Sequence, residues 1–277
     1  MARSFIYDNI GLTESTLTDG TVSGTTYDPT VSTVTNEERA IDMSISTALT
    51  GFSGADDDDL PAGGDDGTDD GLRFDVGTAN ASTNANAIAV YFTSAHGHDM
   101  KVYSGSSATD GTVMGTALAN KTDNWVVGWN VITFSATAGQ YWFIHATTGL
   151  FDDITEVIIG NKYDFDVNPE LNAKTGEEFG TDIMTSYGGN EYANKRHAPK
   201  TTWDWNWSHI LSTQKTALES LNASVQDWKK FIYYDDSDST TTPPSTYHYV
   251  RMTKPVTFTE VAPNVYSANM SLREQLS

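Results

Sequence analysis

The sequence contains no cysteine and few basic residues. Because none of its 277 residues is Cys, disulfide bonds and zinc–thiolate sites are excluded. The chain contains only 16 Lys and Arg but 37 Asp and Glu, and its formal net charge is -21. A surface this acidic repels phosphates, because duplex binding depends on Lys and Arg that release condensed counterions. We therefore expect no sequence-specific nucleic-acid binding.

Long apolar runs are also missing. No stretch reaches the roughly 18 apolar residues of a membrane span, and the N-terminus turns polar before it attains the length of a signal peptide. We expect neither a membrane span nor an export signal. Hydrophobic residues still make up 38% of the chain and aromatic residues 11%, which predicts a folded protein, and the length favours two domains.

Short apolar runs separated by turn residues dominate the first half of the chain. Their spacing of about 8 to 12 residues, with period-two alternation in several, is typical of an all-β sandwich. We assign Tyr141 and Trp142 to its core and expect the acidic stretch 54–71 to be an exposed loop. The predicted strands cover residues 72–76, 87–92, 100–103, 125–134, 140–145 and 154–159.

A helical pattern appears only later. Apolar residues at 218, 221, 225, 228 and 232 recur at three- and four-residue steps, which predicts a helix near 216–230 that starts at a capping box of Thr216 and Glu219. A strand at 231–234 and strand-like runs at 247–252, 256–261 and 265–272 follow.

The composition changes near residue 160, which favours domains at 1–160 and 161–277. The predicted fold class is mainly β: an N-terminal jelly-roll sandwich and a C-terminal β-barrel or sandwich module with one helix.

Three polar motifs invite a metal or catalytic interpretation. Residues 66–71 have the alternating oxygen ligands of half a calcium loop, but Gly77 stands where the bidentate Glu belongs. The motif 96–99, His96-Gly97-His98-Asp99, offers imidazoles and a carboxylate, but no third ligand is indicated and a polar turn containing Gly97 is favoured. The pairs Glu37–Glu38 and Glu177–Glu178 are sequence neighbours, whereas a glycosidase needs two carboxyls that flank a sugar. With no nucleophile elbow, Walker loop or dinucleotide fingerprint, we expect no catalytic residue, cofactor or metal and predict a non-enzymatic protein.

Trp203, Trp205 and Trp207 alternate along the chain. On a strand they share one face with Thr201. Such a row is typical of a protein core or a subunit contact, and a sugar-stacking platform is the alternative.

The first half resembles the discoidin-like, galactose-binding-like jelly-roll family. The resemblance rests on LRFDVG at 72–77, the strand at 87–92, MKVYSGS at 100–106, QYWFI at 140–144 and ITEVIIG at 154–160. It implies a β-sandwich over residues 1–160. It does not by itself imply a ligand, because function in this family lies in variable loops.

The second half resembles tail-tip proteins of tailed bacteriophages, of the distal-tail and minor-tail type. The order is a Gly/Tyr-rich segment at 187–192, a Trp-bearing strand at 202–207, a helix, the aromatic strand 231–234, and closing strands that end in an acidic terminus. The resemblance implies a ring, expected to be hexameric, that joins the tail tube protein to hub and baseplate proteins. It places the protein in the virion tail, made in the host cytoplasm, with the sandwich outside the ring.

Two other virion functions stay open from the sequence. A sandwich of this family also suits a carbohydrate- or host-receptor-binding protein whose partner is a host surface glycan. A head or neck decoration protein is the second alternative. The acidic balance fits a conduit that must not retain DNA.

Overall fold

The structure is a computed structural model of the chain. It describes residues 3–7, 16–19, 21–23, 26–28, 43–46, 71–95, 100–106, 118–121, 125–146, 154–170, 174–226, 228–235 and 247–275.

Strands dominate these ranges, which confirms the predicted mainly-β class. In chain order the elements are β1 (Arg3–Tyr7), β2 (Thr16–Asp19), β3 (Thr21–Ser23), β4 (Thr26–Asp28), β5 (Gly71–Asp75), α1 (Gly77–Asn80), β6 (Asn84–Phe92), β7 (Met100–Gly105), β8 (Ala119–Lys121), β9 (Gly128–Ala138), β10 (Tyr141–Ala146), β11 (Ile154–Asp164), β12 (Lys174–Thr185), β13 (Glu191–Leu211), α2 (Ser212–Val225), β14 (Phe231–Asp235), β15 (Tyr247–Ala262) and β16 (Val265–Glu274).

The chain divides into two units. The sandwich unit is Asp8–Lys162, and the C-terminal unit is Met1–Tyr7 together with Tyr163–Ser277. The first strand therefore departs from the predicted domain 1–160. It pairs antiparallel with β14, from Arg3 opposite Asp235 to Ile6 opposite Ile232. No local sequence pattern indicates such a pairing, because its partners are more than 200 residues apart.

The sandwich unit contains antiparallel strands in the orders β2-β5-β10-β7-β8 and β11-β6-β9, and a separate two-stranded sheet of β3 and β4. Trp142 and Ile144 of β10 alternate into a core that also holds Phe74, its neighbour across β5. The prediction that Trp142 is a core residue is confirmed. For Tyr141 it is wrong: this side chain is half-buried, because adjacent residues of a strand point to opposite faces.

The C-terminal unit is built on one antiparallel run of strands in the order β12-β13-β16-β15-β14-β1. Helix α2 packs on one face, where Leu218, Leu221 and Val225 are buried in the same core as Trp205 and Phe231. The helix therefore contributes one apolar stripe, as its sequence periodicity predicts.

The predicted helix is misplaced by several residues. It starts at Ser212, directly after β13, so Thr216 lies in its interior and the capping box is wrong. Buried Gln214 holds the first turn, because its amide accepts from Val167 N at 2.7 Å and donates to Val167 O at 2.9 Å. The helix ends at Gln226, whose φ is +52°, which leaves Trp228 outside it and half exposed and Ile232 in β14.

The predicted strands 247–252 and 256–261 are one continuous strand, β15. The break that Pro255 suggests is absorbed by register shifts between Met252 and Thr257. A proline is tolerated there because β14 pairs only with residues 247–250, so Pro255 lies where that side of β15 has no partner among the described strands.

Candidate functional site

The hairpin of β12 and β13 extends beyond the sheet. The two strands pair from Lys174 opposite Asp204 to Thr185 opposite Glu191, whereas β13 pairs with β16 only from Thr202 onward. Residues 179–198, which we call the arm, therefore form a two-stranded ribbon with no third strand among the described residues. Seven extended residues on its β12 side span about 23 Å.

Large apolar side chains are exposed on both faces of the arm. Met184 lies opposite Tyr192 on one face, and Ile183 lies opposite Ala193 on the other. The exposed fractions are 67% for Phe179, 65% for Ile183, 71% for Met184 and 63% for Tyr192, and Tyr187 at the tip is fully exposed. These five residues form the largest concentration of exposed apolar side chains in the described part of the chain.

The shape of the arm depends on two glycines. At the tip, the turn closes through Gly189 N donating to Ser186 O at 2.9 Å and Ser186 N donating to Asn190 O at 2.8 Å, and Gly189 has a φ of +82°. Near the base, register shifts on both sides of Gly180 form a bulge opposite His197. A Cβ on Gly180 would collide with the His197 imidazole.

Cations lie along the arm and at its base. Arg196 forms an ion pair with Asp182 on the arm. At the base, Arg273 Nη2 donates to Glu178 Oε1 at 2.6 Å. The pKa of Lys200 is lowered, first by burial and then by the charge of Arg273.

Glu274 links the base of the arm to β15. It accepts hydrogen bonds from Thr201 N at 3.1 Å and from His248 Nδ1 at 3.3 Å. The bond with His248 is the main reason that the pKa of Glu274 falls to about 2, although burial opposes it.

The tryptophan row lies in the core of the C-terminal unit. Trp203, Trp205 and Trp207 are buried, Phe5 stacks on Trp205 with ring centroids 5.9 Å apart, and Trp207 Nε1 donates to Val167 O. The core interpretation is confirmed. The sugar-platform alternative is wrong, because the faces that a sugar would stack on are covered.

A cavity of about 150 Å³ opens beside this row. Its polar groups bind one another: Arg3 Nε donates to Asp235 Oδ1 at 3.3 Å, and the Tyr233 hydroxyl donates to Asp235 Oδ2 at 2.5 Å. Burial and then this bond raise the pKa of Tyr233. The arrangement is an ion pair with a phenol that keeps its proton, which suits structural support of the sheet.

The sandwich unit has a small polar and aromatic cluster of its own. Asp75 and Tyr141 lie opposite each other on the outward face of β5 and β10. Gln140 Nε2 donates to Asp75 Oδ1 and to the Tyr141 hydroxyl, both at 3.1 Å. A carboxylate, an amide and a half-buried ring are groups that orient small polar ligands in binding sites.

Most of the polar motifs noted in the sequence lie outside the described residues. These are the acidic loop 56–70, the half calcium loop that begins at Asp66, the pair Glu37–Glu38 and the motif 96–99. Glu177 and Glu178 are described: they are exposed on opposite faces of β12, which agrees with a surface role. The described ranges contain no cluster of three acidic or histidine side chains that would hold a metal, and no helix long and apolar enough to cross a membrane.

Sequence reasoning missed the arm. The segment 187–192 was noted for its Gly and Tyr, but its position as the tip of a projecting hairpin was not predicted. A usable signal was present: residues 191–200 lack the strict apolar alternation that residues 203–207 show, so they have no core-facing side.

No protein-family model and no curated protein matches the sequence. Solved structures that match include chitosan-binding module 1 of a Paenibacillus sp. IK-5 chitosanase/glucanase, which is 18% identical, with 56% of this chain and 98% of the module covered and a TM-score of 0.36. Chitosan-binding module 2 of that enzyme, solved with chitotriose, is 14% identical, with 57% of this chain and 99% of the module covered and a TM-score of 0.34. The family 32 CBM of C. perfringens NanJ, solved with galactose, is 13% identical, with 58% of this chain and 99% of the module covered and a TM-score of 0.35.

Proposed function

We propose that this protein is a non-catalytic structural component of a tailed-phage tail tip, and that it assembles with copies of itself through its C-terminal unit. The observation that supports self-assembly is the arm, a long hairpin with apolar side chains on both faces, and the tail-tip assignment rests on the sequence resemblance of residues 161–277. In this proposal the copies close into a ring that connects the tail tube to hub proteins.

The physical argument concerns the stability of the arm. A two-stranded hairpin is marginally stable in water without a third strand or a packed face. Each large apolar side chain contributes about 1.5–3 kcal/mol when it passes from full exposure to full burial. Burial of Phe179, Ile183 and Met184 against a partner therefore offsets the cost of ordering the ribbon, and the arm is better suited to an assembled state than to a free one.

The engagement of carboxylates in the C-terminal unit supports the non-catalytic part of the proposal. An enzyme needs acid or base groups held free to meet a substrate. Here five acidic groups bind basic or hydroxyl partners: Glu178 with Arg273, Asp182 with Arg196, Asp204 with Ser271, Asp235 with Arg3 and Glu274 with His248.

The first test is the mass of the purified full chain in solution, with negative-stain imaging of the same sample. We expect closed rings in the wild type. The fourfold variant Phe179→Ser, Ile183→Ser, Met184→Ser and Tyr192→Ser should remain folded, because these side chains lie outside the core, and should be monomeric.

The matched control is Val127→Ser with Val261→Ser, which removes exposed apolar side chains away from the arm. It should assemble like the wild type. A wild-type chain that is monomeric alone and also with tail tube and hub proteins would contradict the proposed function.

A second candidate function is glycan binding by the sandwich unit. The cluster of Asp75, Gln140 and Tyr141 is the observation that favours it. The carboxylate and the amide would bind sugar hydroxyls, and the Tyr141 ring would contact the apolar face of the sugar. The solved structures with chitotriose and with galactose supply the first ligands to try.

The test of glycan binding uses the full chain on chitotriose, galactose and host surface glycans. Saturable binding that Asp75→Asn and Tyr141→Ala weaken at least tenfold would support it. Tyr192→Ala, on the arm, is the control and should bind normally. Absence of saturable binding to every glycan would remove this candidate and leave the assembly proposal unaffected.

A further inference from the structure

Charge is distributed unevenly between the two units. Residues 8–162 contain 22 Asp and Glu but five Lys and Arg, a net of -17, whereas the C-terminal unit contains 15 acidic and 11 basic residues, a net of -4. Copies with these charges repel one another unless contacts bring basic groups of one against acidic groups of the next. The positions of the few cations therefore indicate where copies can meet.

Three cations form a row across the base of the arm. Lys200 and Thr202 lie on the same face of β13, Arg273 of β16 lies opposite Thr202, and Arg251 of β15 lies opposite Arg273. The core face carries the tryptophans, so the row is on the other face of the sheet. Lys195 is a further exposed cation on the arm, where Arg196 is paired with Asp182.

The row is electrostatically unfavourable by itself. Like charges directly opposite on neighbouring strands destabilise a sheet, and Arg251 and Arg273 are such a pair. The nearby acidic groups are Glu178, which accepts from Arg273, Asp204, which accepts from Ser271 on the same face, and Glu274, which is held by His248 and Thr201. Nε of both Arg251 and Arg273 is buried without a hydrogen-bond partner in the described part of the chain. Both side chains are partly exposed, so additional carboxylates beside their guanidinium groups would relieve the repulsion.

We propose that this cation row, together with the arm, binds the acid-rich sandwich unit of a second copy of the protein. The inference rests on the proposed self-assembly and names its contact surfaces. The sandwich unit of a second copy has a net charge of -17 and complements the positive row. The C-terminal unit of a second copy has a net charge of -4 and attracts the row far less. Nucleic acid is the less favoured anion, because the remaining charge of the chain repels phosphates.

The direct test is carbodiimide cross-linking of full-length protein assembled from an equal mixture of ¹⁴N- and ¹⁵N-labelled chains. Mixed-isotope cross-linked peptides come only from contacts between copies. We expect Lys195 and Lys200 to join carboxylates within residues 8–162 of another copy. Mixed peptides confined to residues 163–277, or same-isotope peptides alone, would overturn the inference.

A charge-reversal pair gives an independent measurement. Lys195→Glu with Lys200→Glu should raise the dissociation constant of the assembly roughly tenfold or more and reduce its dependence on ionic strength between about 50 and 500 mM salt. Lys215→Glu with Lys229→Glu makes the same change in net charge in and just after helix α2, which packs on the core face of the sheet, and should shift the constant less than about twofold. Circular dichroism of both variants verifies that the fold is retained.

The outcomes separate the inference from the proposed function. Assembly that is equally sensitive to both charge reversals overturns the contact with the sandwich unit but leaves self-assembly standing. Absence of any assembly by the wild type overturns both. Loss of assembly in the Lys195 and Lys200 variant alone, with cross-links to residues 8–162, supports both.

Discussion

The two halves of strand β13 differ although they belong to one element. In the half from Thr201 to Leu211, Trp203, Trp205 and Trp207 are buried and the residues between them are exposed. In the half from Glu191 to Lys200, the side chains are exposed with only His197 and Lys200 partly covered. The first half gains its stability from the core of its own chain. The second has no core-facing side, so Tyr192 and the apolar side chains opposite it on β12 remain exposed.

The largest expected effect comes from removing a side chain in the buried half. Trp205→Ala should lower the free energy of unfolding by about 3–5 kcal/mol, because it leaves a cavity among Phe5, Phe231 and Tyr233. Tyr192→Ala removes an aromatic ring of the exposed half and should change the free energy of unfolding by less than about 0.5 kcal/mol. Chemical denaturation under dilute, monomeric conditions measures both. Equal losses would show that the two halves do not differ as described.

An intermediate effect is expected at Glu274, where the buried half meets the arm. Its folded-state pKa of about 2 lies below the ordinary carboxyl value of 4.5, so its stabilising contribution is present above pH 4.5 and is lost as the pH falls towards 2. Glu274→Gln should lower the free energy of unfolding at pH 7 by about 2 kcal/mol and flatten its decline between pH 5 and pH 2. Glu191→Gln, on the arm, is the control. If the free energy of unfolding of Glu274→Gln declines between pH 5 and pH 2 as steeply as that of the wild type, the lowered pKa does not belong to Glu274.

A smaller and local effect is expected at the tip of the arm. Gly189→Ala places a side chain at a φ of +82° and should destabilise the turn by about 1 kcal/mol, with little effect on the core. Gly188→Ala is the matched control, because Gly188 has no positive φ and a Cβ there meets nothing closer than 4.0 Å. Hydrogen exchange of the amides of Ser186 and Gly189 reads out the local change. Equal protection in both variants would argue against the turn geometry.

The sequence predicted the parts of the fold that depend on local periodicity. The strands of the sandwich and the tryptophan row were found because alternation along a strand requires no knowledge of the partner strand. The helix was found but displaced, since the i, i+3, i+4 pattern continues by coincidence to Trp228 and Ile232. Its start is fixed by a tertiary contact, the two hydrogen bonds between Gln214 and Val167, and it ends at the positive φ of Gln226.

The candidate sites were less predictable. Asp75 and Tyr141 are far apart in sequence, and only the pairing of β5 with β10 brings them together. The row of Lys200, Arg251 and Arg273 likewise exists only because three strands adopt one register. Neither arrangement leaves a spacing that a reader of the sequence would recognise.

By itself, the sequence determined the mainly-β class, the acidic character and the core position of the tryptophans, because composition and short-range alternation act within a few residues. The tertiary structure alone decided that β1 joins the C-terminal unit, that one proline-containing strand runs from Tyr247 to Ala262, and that the hairpin of β12 and β13 leaves the sheet at residue 179. These features depend on which strands pair and where pairing stops. The pairing and register of the strands are determined by the free energy of the whole packed unit, which no short segment encodes.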